Sequence, residues 1–224
     1  MLQYAHIFTM STNKITHTRS PKNISVFKKT IWNFYRNHKR EMPWRETRDP
    51  YKILVSEVML QQTQVSRVLK KYPEFIKAFP DVKLLAKAPL RQILSVWQGT
   101  GYNRRAIALK RIAGEVVSEY DGVIPNDPAL LMKFSGIGEN TAGAIVAFAF
   151  NKPSIFIETN IRRVFIHHFF KNRRKVNDKE IIPLIEETLD TKNPREWYYA
   201  LIDYVVMLSK EFTNPNRKSK HYAK

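Results

Sequence analysis

The chain has 224 residues, 43% of them hydrophobic and 26% charged, which is enough for one sizeable core or two small lobes. Lys and Arg number 38 against 20 Asp and Glu, and a formal net charge of +18 is typical of a protein that binds a polyanion. The absence of cysteine excludes disulfides, zinc–thiolate sites and iron–sulfur clusters held by this chain.

Apolar residues recur at spacings of three and four along most of the chain, and few glycines interrupt them, which predicts an all-α fold. Two Asp-Pro pairs predict helix starts, because Asp caps free N–H groups and Pro fits the first turn. A basic N-terminal arm (1–22) and a basic tail (213–224) are expected to be flexible. The expected helices span about 24–38, 50–72, 81–88, 89–97, 104–120, 128–134, 140–150, 159–170, 178–190 and 194–211.

Targeting and assembly signals are weak in this sequence. No apolar run approaches the roughly 20 residues of a membrane span, and residues 1–22 are too polar for a signal peptide. We therefore expect a cytoplasmic protein, nucleoid-associated in a prokaryote, with no membrane partner. A heptad seam is lacking, so we expect a monomer. The adjacent His167 and His168 would face different ways on a helix, so we expect no metal site there.

A Gly-x-Gly turn, Gly136, Ile137 and Gly138, separates two of the expected helices. Two glycines permit a tight turn into a helix N-terminus, whose N–H groups and dipole favour an anion such as a DNA phosphate. An ordinary turn between helices could carry the same residues. The pattern alone favours neither interpretation.

Two carboxylates are candidates for chemistry. Glu57 lies on an expected helix among mostly apolar neighbours, which favours partial burial, a raised pKa and general acid catalysis near neutral pH. Gln61 and Gln64 continue its stripe and suit the recognition of base edges. Taken alone, a structural glutamate satisfied by an arginine is slightly favoured. Glu158, a lone carboxylate, begins the helix that follows the Ala-rich segment.

The segment from Ser56 to Val65, SEVMLQQTQV, resembles the active-site helix of the MutY adenine DNA glycosylases, in the helix-hairpin-helix superfamily. The resemblance covers about residues 25–212. Further matching segments are Met42–Arg45, Asp49–Tyr51, Trp97–Tyr102, Arg105–Ala106, Gly136–Gly138 and Thr141–Ile145. It implies an all-α, two-lobed glycosylase with a DNA-binding cleft between the lobes. One lobe would span about 45–150, and the other would join 23–44 to 151–212.

The resemblance also implies roles for individual residues. Glu57 would protonate the departing adenine, and Glu158, with Asn160 beside it, would stabilise the sugar cation and assist water. The partner would be double-stranded DNA with a mismatched or damaged base, and no cofactor is expected. The base pocket would comprise Arg40, Met42, Trp44, Asn140 and Tyr199. DNA contacts would come from Gln61, Gln62, Tyr102, Gly136, Ile137, Gly138, Asn140 and Thr141.

The sequence departs from the family pattern in four ways. Glu158 stands where the family has Asp, and a charge displaced by about 1.5 Å can cost on the order of 100-fold in rate. Asn140 stands where endonuclease III-like relatives carry the Schiff-base Lys, so we expect no strand cleavage. Ser209 occupies the first position of the iron–sulfur loop, and the 8-oxoguanine-sensing domain is lacking. Tail cations would replace the loop's phosphate contacts: Arg217, Lys218 and Lys220.

Three functions remain open at this point. The leading one is a monofunctional base-excision repair glycosylase that removes adenine mispaired with guanine or 8-oxoguanine. A glycosylase of the same superfamily that removes thymine opposite guanine, or another base, is the nearest alternative. The change at Glu158 motivates a third, a catalytically silent DNA-binding module. An RNA-binding protein is disfavoured, because no aromatic single-strand platform motif is present.

Overall fold

The computed structural model describes residues 20–211 and 214–221, of which Lys210 and Glu211 are described by backbone alone. This part of the chain forms eleven α-helices and no β-strand, which confirms the expected all-α fold. Residues 1–19, most of the expected N-terminal arm, lie outside it. The helices are α1 (Pro21–His38), α2 (Pro50–Leu60), α3 (Val65–Ala78), α4 (Val82–Lys87), α5 (Leu90–Trp97), α6 (Arg104–Glu119), α7 (Pro128–Leu131), α8 (Glu139–Phe150), α9 (Thr159–Phe169), α10 (Asp178–Thr188) and α11 (Pro194–Glu211).

Both Asp-Pro pairs begin helices as predicted. The Asp49 side chain accepts a hydrogen bond from the Tyr51 N–H at 2.9 Å, with Pro50 in the first turn of α2. Asp127 caps α7 in the same way, accepting from the Ala129 N–H at 2.8 Å. Such caps are each worth about 1 kcal/mol. No described helix is long and apolar enough to cross a membrane.

The prediction of one helix over 50–72 was wrong. The segment contains two helices, since α2 ends at Leu60, a turn follows, and α3 begins at Val65 and runs past Pro73 to Ala78. Gln62 adopts a left-handed backbone with φ of 53° at the break. The last carbonyls of α2 are taken up by a side chain distant in sequence, Arg105, so the helix does not continue. Gln61 and Gln64 therefore lie in the connection and do not extend a helical stripe.

The chain divides into two compact units. The first comprises residues up to Arg40 together with those from Ile157, and the second comprises Glu41–Phe156. Phe27 of α1 is buried in the first unit, with ring centroids 5.0 to 6.0 Å from the aromatic rings of Phe165, Phe169 and Trp197. In the second unit α2 packs against α8, and α4 and α5 pack against α6.

Small residues allow α8 to pack closely on the segment that follows it. A Cβ atom added at Gly143 would lie 2.9 Å from the Phe156 Cβ and 3.0 Å from the Ser154 Oγ. The glycine is required because the Phe156 Cβ belongs to a buried residue next to the backbone and cannot swing aside. The Ala- and Gly-rich composition of α8 is explained by this contact.

We predict that Gly143→Ala lowers the free energy of unfolding by about 1–3 kcal/mol, because a methyl group would overpack this contact. Urea denaturation followed by circular dichroism measures the change. Gly114→Ala on α6 is the matched control, since an added Cβ meets nothing within 4 Å there. We expect that variant to gain up to about 1 kcal/mol from helix propensity. Equal effects at the two glycines would contradict the prediction.

The described part of the tail, residues 214–221, is packed against the first unit, so the expectation of a flexible tail was wrong for these residues. Val176 forms an isolated parallel bridge with Ser219, donating to the Lys218 carbonyl at 2.7 Å and accepting from the Lys220 N–H at 2.9 Å. Arg163 Nε donates to Asn214 Oδ1 at 2.9 Å. Long-range hydrogen bonds, which local composition does not reveal, hold the segment. Residues 212–213 and 222–224 lie outside the described chain.

Candidate functional site

The Gly-x-Gly turn opens α8 as predicted. Gly136 has φ of +88°, which glycine tolerates without strain, and Gly138 is the residue that precedes the first turn of α8. Ile137 is buried and anchors the turn, whereas Ser135 and both glycines are exposed. The first N–H groups of any α-helix lack intrahelical acceptors, so α8 offers them beside an exposed backbone. This geometry can receive a phosphate.

Gln61 links the end of α2 to this turn. Its Nε2 donates to the Gly136 carbonyl and to Thr141 Oγ1, each at 3.3 Å. Three of the predicted DNA-contacting residues therefore come together within the second unit. The side chain of Gln61 is half-buried and engaged with the protein, so its structural role is to join two segments of the candidate site.

Arg105 is a functional candidate whose role the sequence analysis missed. Its side chain is only 6% exposed, and burial lowers its pKa from the ordinary value. Nη1 donates to three carbonyls, those of Val58 at 3.0 Å, Met59 at 2.9 Å and Gln61 at 2.5 Å. Nη2 donates to Thr63 Oγ1 at 2.9 Å and to the carbonyls of Thr100 at 3.1 Å and Gly101 at 3.0 Å. One guanidinium thus fixes the end of α2 and the loop before α6.

A sequence signal for Arg105 did exist. It precedes Ala106 and Leu109 on the buried face of α6, where a charged residue is rare unless it is bonded. The acceptors, however, are carbonyls of segments far along the chain. No pattern in the sequence identifies such acceptors.

Glu57 lies on α2 between buried Ser56 and Val58 and is itself half-buried. Partial burial was expected from its apolar neighbours. The helix that carries it is fixed at its C-terminal end by the Arg105 guanidinium. Its proton-donating role stays a prediction.

Glu158 caps the N-terminus of α9. Its Oε2 accepts from the Asn160 N–H at 2.9 Å and its Oε1 accepts from the Ile161 N–H at 3.0 Å. Burial raises the pKa of the Glu158 carboxyl, and the two backbone hydrogen bonds oppose that rise, as do the charges of Arg162 and Arg163. The longer side chain turns back onto its own helix, so both carboxylate oxygens are oriented by the backbone.

The two arginines after Glu158 are bound elsewhere in the first unit. Arg162 forms a bidentate ion pair with Asp178, with both N···O distances 2.7 Å. Arg163 donates to Asn214. Asn160 contributes its backbone N–H to the Glu158 carboxylate and keeps a half-exposed side chain.

The residues assigned to a base pocket fall in both units. Met42 and Trp44 are buried in the second unit, where the Trp44 ring packs edge-on against Tyr72 at 5.6 Å. Arg40 belongs to the first unit and pairs with the buried Asp203 carboxylate at 2.6 Å. Tyr199, also in the first unit, is buried with the Arg195 guanidinium 5.4 Å from its ring centroid.

The remaining predicted DNA-contacting side chains are exposed. Asn140 lies in the first turn of α8, Gln62 lies in the turn after α2, and Tyr102 lies in the loop before α6. Tyr102 is 57% exposed, unusually high for an aromatic residue. All three project from the second unit.

The histidine pair has a packing role. His168 Nε2 lies 3.2 Å from the Tyr204 Oη, its ring packs edge-on against Phe27, and burial lowers its pKa to about 4. Over residues 20–211 and 214–221, no three His, Cys, Asp or Glu side chains are grouped as metal ligands would be.

Comparison with known proteins places this arrangement in a family. Residues 55–188, from Glu57 through the turn at Gly136 and beyond Glu158, match the HhH-GPD superfamily base excision DNA repair protein model. The chain belongs to the HhH-GPD superfamily. Its match to that family covers more than half of its length.

Relatives of this HhH-GPD protein carry two different names. The adenine DNA glycosylase of Buchnera aphidicola subsp. Baizongia pistaciae is 40% identical over 80% of this chain and 51% of its own. The thymine/uracil-DNA glycosylase of Methanothermobacter thermautotrophicus is 30% identical over 84% of this chain and 86% of its own. A solved thermostable thymine-DNA glycosylase superposes with a TM-score of 0.76 at 29% identity, covering 83% of this chain and 87% of its own.

The first of these relatives confirms the resemblance seen in the Ser56–Val65 segment. The HhH-GPD chain spans about half the length of the curated adenine glycosylases that it matches.

Proposed function

We propose that this HhH-GPD protein is a monofunctional DNA glycosylase that hydrolyses the N-glycosidic bond of adenine mispaired with guanine or 8-oxoguanine. The observation that carries the proposal is the second unit itself. There α2 bears Glu57, and its C-terminal turn is joined through Gln61 to the phosphate-receiving turn at Gly136. The 40% identity to an adenine DNA glycosylase supports adenine as the base.

In the proposed reaction Glu57 donates a proton to the adenine ring, which makes the base a better leaving group. The bond between the sugar carbon and the base nitrogen then breaks, with its electron pair leaving on the base. The ionised Glu158 carboxylate stabilises the resulting sugar cation, and water adds to complete hydrolysis. Asn140 has no amine to form a Schiff base, so the product is an abasic site in an intact strand.

The proposed partner is double-stranded DNA bound by a monomer. The charge of +18 supports it, because exposed Lys and Arg side chains release counterions when they neutralise phosphates. The exposed backbone at Gly136 and Gly138 provides a contact that does not depend on the base sequence.

Single-turnover cleavage of three duplexes tests the proposal. They carry adenine opposite 8-oxoguanine, adenine opposite guanine, and thymine opposite guanine, and products are read with and without alkali. We expect strand breaks at adenine that appear only after alkali treatment. Cleavage without alkali would contradict the monofunctional assignment, and a lack of product from every duplex would contradict glycosylase activity on these bases.

Thymine opposite guanine is the second candidate substrate. The thymine/uracil-DNA glycosylase relative matches this chain over 86% of its own length, whereas the first adenine relative does so over 51%. Cleavage confined to the thymine duplex would select this candidate. The proposed roles of Glu57 and the Gly136 turn would then remain, with a different base in the pocket.

We predict that the packed tail binds DNA phosphates. Replacing Arg217, Lys218 and Lys220 with Ala should weaken duplex binding and flatten its salt dependence, by about 0.9 in the log–log slope for each phosphate that is no longer neutralised. Fluorescence anisotropy at several salt concentrations measures both. The matched control exchanges Lys and Arg at the three positions and should keep the slope. An unchanged slope in the Ala variant would contradict the prediction.

A further inference from the structure

Two exposed residues of the second unit have a backbone conformation that their side chains disfavour. Gln62 has φ of 53° and Tyr102 has φ of 48°, both in the left-handed region where glycine is the usual residue. Neither is a glycine, and neither buries its side chain. Strain of this kind persists where the surrounding structure enforces it, and it clusters at functional sites.

One side chain enforces both conformations. The carbonyl of Gln61, immediately before Gln62, accepts from Arg105 Nη1 at 2.5 Å, and the carbonyl of Gly101, immediately before Tyr102, accepts from Nη2 at 3.0 Å. A planar guanidinium has a fixed fork of donors, so the two peptide groups are held at a fixed separation. The two strained residues therefore project from a common, buried anchor.

The projecting groups suit a disrupted base stack. The Tyr102 ring is 57% exposed and offers a flat surface on which a base can stack, with the Arg104 guanidinium 5.4 Å from its centroid. The Gln62 amide can both donate to and accept from base edges. An enzyme that extrudes a nucleotide leaves a gap and an unpaired partner base, and these two groups match those two needs.

We propose that Arg105 is a positioning residue that holds Gln62 and Tyr102 as a rigid pair of probes for the gap left by an extruded nucleotide. The inference rests on the proposed function and deepens it by assigning the engagement of the mismatch to this pair. Rigid presentation avoids the entropy cost of ordering two side chains on binding. Arg105 itself does not touch DNA in this scheme.

Glycine substitutions separate strain from fold. Gln62→Gly and Tyr102→Gly remove the probes and also relieve the backbone, so we expect a thermal midpoint equal to or above that of the parent. Preference for mismatched over matched duplex should fall about tenfold in each. Asp121→Gly is the matched control, since Asp121 is exposed and has φ of 53° but follows the opposite end of α6 from Arg105. It should keep the mismatch preference of the parent.

A double-mutant cycle tests the positioning role. Arg105→Lys keeps the charge but loses the fork, and it is compared in the parent and in the Gln62→Gly/Tyr102→Gly background. Two readouts are taken: the mismatch preference, and the emission of 2-aminopurine next to the mismatch, which reports unstacking. We expect Arg105→Lys to reduce both by about tenfold in the parent and to have little further effect in the double-glycine background.

Equal losses in both backgrounds would overturn the inference, because they would show that Arg105 does not act through the probes. A double-glycine variant that keeps the mismatch preference would also overturn it, and that variant decides the question if Arg105→Lys does not fold. A parent that excises no base, yet gives the coupled loss in binding, would defeat the proposed function and leave the positioning role intact.

Discussion

Glu57→Gln is expected to lower single-turnover excision by about 10²–10⁴-fold while leaving duplex affinity unchanged. Glutamine has nearly the same shape as glutamate and keeps hydrogen-bonding groups, but it has no acidic proton to give to the departing base. The α2 helix is fixed at its C-terminal end by Arg105, so the substituted side chain stays in place. The chemical step should therefore be lost without a change in structure.

Excision under saturating enzyme and binding by fluorescence anisotropy are measured on the same duplex. Glu119→Gln, an exposed residue at the end of α6, is the matched control and should keep the parent rate. Excision that survives Glu57→Gln would remove Glu57 as the proton donor. A loss of binding in parallel with activity would assign Glu57 a structural role instead.

Glu158→Gln is expected to have the second largest effect, a loss of about 10²–10³-fold in excision, because the negative charge that faces the developing sugar cation is removed. The amide oxygen can still accept one of the two α9 hydrogen bonds, so the loss in stability should stay at about 1 kcal/mol. Rates and urea denaturation curves are compared for the two proteins. An unchanged rate would show that Glu158 serves only as the cap of α9.

The pH dependence of excision carries the same information. Burial raises the pKa of Glu158, so its carboxylate becomes protonated, and inactive in the proposed role, at a higher pH than an ordinary glutamate does. Excision should fall as the pH is lowered through that raised pKa, and Glu158→Gln should lack this limb. In the same window the folded state binds the proton more readily than the unfolded state, so this group makes the protein more stable as the pH falls. Unfolding thus cannot account for the lost activity.

Glu158→Asp separates a working glutamate from a silent site. Aspartate also caps helices well, so the fold should persist. We expect the parent to be active with Glu158, because its carboxylate is already oriented by two backbone N–H groups. A parent that binds duplex without releasing a base, together with an active Glu158→Asp variant, would favour the catalytically silent DNA-binding module.

Local signals in the sequence predicted the helices well where side chains act on their own backbone. Asp49 and Asp127 each cap the helix that they begin, and each is followed by proline. The break after Leu60 had no such signal, since no glycine or proline lies between Leu60 and Val65. It depends on Arg105, which lies 44 positions beyond Gln61 in the chain.

The candidate site shows the same limit. The sequence indicated a carboxylate at the start of a helix, and Glu158 lies there, but it did not indicate that both oxygens bind the backbone of α9. Nor did it indicate that Gln61 would bind the Gly136 carbonyl, because that bond depends on how α2 and α8 pack. Interactions between distant segments are invisible to local periodicity.

The exposed turn at Ser135 and Gly136 makes this chain convenient for site-specific labelling. The chain contains no cysteine, so Ser135→Cys would introduce a unique thiol by exchanging one oxygen for sulfur at an exposed position. A fluorophore attached there would sit next to the backbone that we expect to meet a phosphate. Its emission would follow DNA docking in real time, separately from the slower chemistry of base release.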